Sequence, residues 1–126
     1  MKIDFEKQYF QQSCYWVGEL IFNIMKSELK LSLIANPETS IIDGTIIFYG
    51  VEEYSGEFDL QEYDSDCTEN LIGIDAIGYD NKTKYVINFG IGEVIFSTAI
   101  KPEVKWKNSN KINTYKPNDE RIIIET

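Results

Sequence analysis

The sequence contains no histidine among its 126 residues. That absence removes the Ser-His-Asp and Cys-His catalytic arrangements, and with them the commonest transition-metal ligand. Cysteine is nearly as scarce: Cys14 and Cys67 stand 53 positions apart. Neither has the usual histidine base, and Cys67 lies among carboxylates, which disfavour a thiolate. The opening MKIDFEKQYFQQ has no apolar h-region of a secretory signal, so reduced thiols and a cytoplasmic setting are expected. No apolar run approaches the ~18 residues needed to span a bilayer. No phosphate loop is present, since Gly90-Ile91-Gly92 lacks a third glycine and a following helix. Basic residues are missing over a long interval: none occurs between Lys30 and Lys82. Twelve acids lie in that interval, giving −12, and the rest of the chain has nine acids against twelve bases, or +3; the sum is −9. Nucleic acids and anionic membranes bind through basic patches, so neither is expected as a partner.

The acids are densest from Val51 to Asn70. This stretch holds Glu52, Glu53, Glu57, Asp59, Glu62, Asp64, Asp66 and Glu69, with no Lys or Arg, and the rings of Tyr54, Phe58 and Tyr63 sit among them. Several chemistries compete for it. Paired carboxylates could perform glycosidase-type acid–base work, but the acids crowd into one loop-like segment. Counted from Asp64 as a calcium loop, the sixth place holds Glu69 where glycine is needed and the twelfth holds Asp75 where glutamate is needed. No metal, cofactor or catalytic group is therefore assigned. A solvated, solubilising loop is the plain reading. The functional one is a docking surface for a basic protein, in which the carboxylates steer approach and Tyr54, Phe58 and Tyr63 anchor. One-signed charge over fifty-one residues favours the second, because solubilising surfaces mix signs.

A chain of this length makes one domain and can bury roughly 65% of its unfolded surface. Nineteen isoleucines and fifteen Phe and Tyr residues lean toward strands. Asp4 to Gln12 reads as a short helix capped by Asp4, or an extended arm. Cys14 to Ile24 alternates, with Cys14, Trp16, Gly18, Leu20, Phe22 and Ile24 on one face, and pairs as a hairpin with Leu29 to Ala35; a helix over Val17 to Leu33 is the competitor. The turn between them, Met25 to Glu28, reads as polar. Thr45 to Tyr54 is a strand in which Gly50 marks a bulge or a close backbone approach, ended by Ser55-Gly56. Asn70 to Tyr79 and Lys84 to Phe89 form a hairpin around Asp80 to Thr83. Glu93 to Lys101 follows, stopped by Pro102, and Glu103 to Lys107 makes a lysine-blunted edge. Trp16 is expected in the core and Trp106 partly exposed. Residues 108–120 read as a mobile polar segment, and Arg121 to Glu125 as an edge strand for this sheet or for a neighbour's. The expected fold is all-β, a mostly antiparallel sandwich or curled sheet of six to eight strands, with or without one short N-terminal helix; α+β is the alternative.

The order of VGELIFNIMKSELKLSLIA, TIIFYGVEEY, an acidic insert, NLIGIDAIGY and KYVINFGIGEVIFSTA resembles small acidic immunity-type proteins of bacterial polymorphic toxin systems, over roughly residues 13–104. The Ile, Lys and Asn bias suits an AT-rich bacterial genome. The resemblance implies a cytoplasmic, non-enzymatic inhibitor whose acidic window covers a toxin's active site or basic groove. Two other classes stay open: a ligand-binding or enzymatic β-domain with a cavity lined by tyrosines and acids, and a subunit that self-associates through 121–125.

Overall fold

A computed structural model describes residues 2–39, 41–58 and 69–107. Among them lie β1 (Lys2–Ile3), α1 (Phe5–Tyr9), β2 (Tyr15–Asn23), β3 (Glu28–Ile34), β4 (Gly44–Phe48), β5 (Glu52–Phe58), β6 (Glu69–Tyr79), β7 (Lys82–Phe89), β8 (Gly92–Thr98) and β9 (Glu103–Trp106). The strands make one antiparallel sheet in the order β5-β8-β7-β6-β2-β3-β4-β9, with β1 beside β6. The all-β curled sheet with one short helix is thus the architecture, and two-residue β1 carries the count just past the expected range.

The sheet is two three-stranded meanders, β2-β3-β4 and β6-β7-β8, joined where Tyr15–Val17 pairs with Leu71–Glu69. Each meander is completed by a strand delivered from the other: β4 leads to β5 on the far edge of β8, and β8 leads to β9 on the far edge of β4. The two crossing segments are clipped together. Tyr49 Oη donates to Glu103 Oε1 at 2.9 Å, and the Thr98 hydroxyl donates to the Tyr49 carbonyl. Gly50 takes φ +63° at the crossing, and a Cβ there would lie 2.9 Å from Ile100 Cδ1. This crossing is where the expected single strand from Thr45 to Tyr54 divides into β4 and β5. Ser55-Gly56 lies inside β5 and does not end it.

The meanders fold over an aromatic core. Phe48 of β4 packs on Tyr85 of β7 at 4.8 Å and Phe96 of β8 at 4.9 Å. Helix α1 plugs one end: Asp4 Oδ1 accepts from Lys7 N at 3.1 Å to start it, and Phe10 turns extended to stop it, so Phe5 and Tyr9 are buried. Glu6 Oε2 accepts from Ile74 N at 3.0 Å, supplying an acceptor where β6 lacks a strand partner between β2 and β1.

Two face assignments change. A bulge between Val17 and Glu19 shifts the register of β2. Because side chains alternate with period two, the slip turns Tyr15 and Val17 inward before it and Leu20 and Phe22 inward after it. Trp16 is consequently half-buried on the outer face, and Trp106 is the buried tryptophan, stacked on Tyr15 at 5.2 Å. The β6–β7 turn is two residues, Asp80 and Asn81, at φ 50° and 72°, the left-handed pair that tight hairpins of this kind require.

Candidate functional site

Strand β5 forms one end of the sheet, and all seven of its residues are exposed. Its inner side carries Tyr54, Gly56 and Phe58. Tyr54 stacks on Phe22 of β2 at 4.3 Å and 17°, Phe58 lies 5.9 Å from buried Phe89, and a Cβ on Gly56 would meet Val94 Cγ2 at 3.7 Å. Both rings remain more than a third exposed, Tyr54 37% and Phe58 39%, so each is half anchor and half free surface. Burial pushes the Tyr54 hydroxyl above its usual range. Glu53 has φ +53° within a bulge between Glu52 and Ser55, which bends the strand's start.

The carboxylates of β5 differ in their surroundings. Glu52 Oε2 lies 2.6 Å from Lys82 Nζ. The hydrogen bond with Glu52, followed by the pull of its charge, raises the Lys82 ammonium's pKa. Glu53 and Glu57 have no hydrogen bond or ion pair among the described residues. Glu57 stands directly opposite Glu93 of β8, a like-charge cross-strand pair that disfavours itself. An open groove lined by Gly56, Glu57, Phe58, Ile91 and Gly92 runs beside this end of the strand.

Of the candidate residues, Glu52, Glu53, Tyr54, Glu57 and Phe58 come together on this edge. Glu69 does not: it opens β6, three strands inward, opposite Val17. Asp59, Glu62, Tyr63, Asp64 and Asp66 lie outside the described residues, as do Cys67, 108–120 and 121–125. Other acids of the window serve the fold; Asp43 Oδ2 accepts from Ala35 N at 2.9 Å. Cys14 is exposed. Among the described residues no group of three or more His, Cys, Asp or Glu is placed to hold a metal ion, and no helix is long and apolar enough to cross a membrane.

The reading of Met25 to Glu28 as a polar turn hid part of the surface. Ile24 and Met25, at the tip of the β2–β3 hairpin, are 75% and 93% exposed. This tip lies beside the start of β5: Val51 N donates to the Ser27 carbonyl at 2.9 Å, and Phe22 carries Tyr54. Two bulky apolar residues at the one place where the alternation should give way to polar turn formers were the available signal.

A separate cavity of about 290 Å³ opens between α1, β1, the start of β7 and the chain leaving β8. Phe5, Tyr9, Tyr85, Ile100 and Lys101 are among its walls, and among the described residues no carboxylate is.

The fold and the edge define a class: a curled, open antiparallel sheet with a long acidic edge strand. No family model matches the chain, and no curated protein matches it. Among solved structures it is similar to an uncharacterised protein from Neisseria gonorrhoeae, with 18% identity, 74% of this chain and 91% of that chain covered, and a TM-score of 0.56. At that identity the likeness speaks for the fold alone.

Proposed function

We propose that the chain is a non-catalytic binding domain that takes a basic protein on β5 and the adjoining hairpin tip. The observation that carries this reading is β5 itself. It is a seven-residue edge without a buried residue, and Glu53 and Glu57, neither in a hydrogen bond or close ion pair among the described residues, flank half-open Tyr54 and Phe58. Carboxylates of this kind raise encounter rates, and rigid aromatics supply contact energy. The like-charge pair Glu57–Glu93 is relieved by a partner's Lys or Arg, so the basic partner has a local as well as a long-range attraction. Ile24 and Met25 add an apolar contact beside the acids. In its most concrete form the partner is a toxin domain and this chain its immunity protein, a form that rests on the layout of the strands and on the net charge.

The test is the association of the full chain with the protein encoded beside it. The association rate is expected to fall steeply as salt rises. Replacing Glu57, Asp59, Glu62 and Asp64 by their amides is expected to slow it while the thermal transition stays in place. Association indifferent to salt and to the four amides removes the acidic edge from the interface.

A further inference from the structure

The cavity beside α1 has a chemistry opposite to that of the molecule as a whole. The protein carries −9, yet among the described residues the cavity wall includes Lys101 and no Asp or Glu. Lys101 is exposed and forms no ion pair among the described residues. Tyr9 and Tyr85 both line the space and are 6% and 4% exposed. Thr83 hydrogen-bonds to the Tyr85 hydroxyl, and the Tyr9 phenol interacts with it electrostatically from the same wall. Burial keeps both phenols protonated well beyond neutral pH, so Tyr9 is available as a donor. The Gln8 amide is a further donor on the wall, and Ile3, Phe5 and Ile100 make the rest apolar.

We infer that this cavity binds a small monocarboxylate with a ring-sized apolar body, its carboxylate held by Lys101 and the Tyr9 hydroxyl and its body set against Phe5 and Ile100. The volume permits this. A cavity of about 150 Å³ holds benzene, so about 290 Å³ has room for a ring and a carboxylate. The protein's negative charge does not forbid it, because charges beyond a Debye length of about 8 Å are largely screened at physiological salt. The cation at the mouth then dominates. The site is independent of β5 and does not depend on the partner proposed above.

Sodium benzoate added to the isotope-labelled full chain, followed by NMR, tests it. Resonance shifts are expected to centre on Phe5, Tyr9, Tyr85 and Ile100. Tyr9→Phe, which keeps the ring and its packing, is expected to weaken binding roughly fivefold. Lys101→Met, at an exposed position, is expected to weaken it roughly tenfold, and benzamide, equal in shape but uncharged, should bind the native chain about as weakly. An unchanged thermal transition in both variants confirms that the fold is retained. No shifts around Tyr9 and Tyr85 at saturating benzoate, or an affinity indifferent to both substitutions, overturns the inference.

Discussion

The two edges of this sheet solve the same problem in opposite ways. Strand β9 has four residues; Val104 and Trp106 are buried at 2% and 8% exposure, and Lys105 and Lys107 point to water. Trp106 lies on Tyr15 and edge-on to Phe10, so the strand is held through its side chains. Strand β5 has seven residues and buries none; its rings are only partly covered and its exposed charges are acids. A short strand with outward lysines resists further pairing. A long exposed one, with carboxylates around half-free aromatics, is open except where the bulge at Glu53 turns it. An edge closed by its own side chains contributes to stability. An edge left open contributes little and is available for recognition.

The comparison can be broken first at its strongest point. Trp106→Ala empties the seat of β9 and should cost about 3–5 kcal/mol in urea unfolding, whereas Tyr54→Ala, at a half-exposed stack, should cost about 1 kcal/mol. Equal losses would erase the distinction between the edges. The tyrosines offer a second test. Burial, with a contribution from Tyr9, pushes Tyr85 up to about 12 from an ordinary 10.0. A raised folded-state value means that this stability is fully present below pH 10 and is lost as pH rises toward 12. The loss should be about 2–3 kcal/mol, read as the urea midpoint against pH. Tyr85→Phe should remove most of that alkaline drop, and Tyr54→Phe, at the half-exposed edge, should remove a smaller share.

Smaller effects sharpen the picture. Gly92 packs against the Glu57 carbonyl so closely that a Cβ would strike it. Gly92→Ala should cost about 1–2 kcal/mol, through backbone movement at the β5–β8 seam. The change should appear as faster amide exchange in Ser55–Phe58, with Val104–Trp106 unaffected. Last, Lys82→Met removes the cation from Glu52 at the exposed edge. The denaturation midpoint should barely move, because exposed ion pairs contribute little. The association rate with a basic partner should rise, since the edge becomes more negative.

Much of this scaffold was legible in the sequence. Leu29, Leu31 and Leu33 alternate with Lys30 and Ser32, and all three leucines are fully buried on β3. The Asp80-Asn81 turn and the Asp4 cap were also open to local reading, because each depends on neighbours in the chain. Features set by tertiary contact were not. The slip at Gly18 in β2 exchanges inner and outer faces, a change that strict alternation cannot anticipate. Gly50 announced a bulge or a close approach but not the break that stands there, a crossing with the segment 99–102 that hands β5 to β8. In EVKWK the period of two already placed Trp106 with Val104, opposite the lysines; composition alone made it look exposed. The acidic window was visible as charge, but its division between an edge strand and the start of β6 depends on a strand order that no local pattern encodes.

Native-state hydrogen exchange on the free full chain tests the central claim most directly, because it compares both edges in one experiment. The account expects the outward-facing amides of Ser55–Phe58 to exchange orders of magnitude faster than those of Val104–Trp106, and to become protected when a basic partner is bound. Equal protection of both strands in the free chain would mean that β5 is already covered, and an edge already covered is not a docking site.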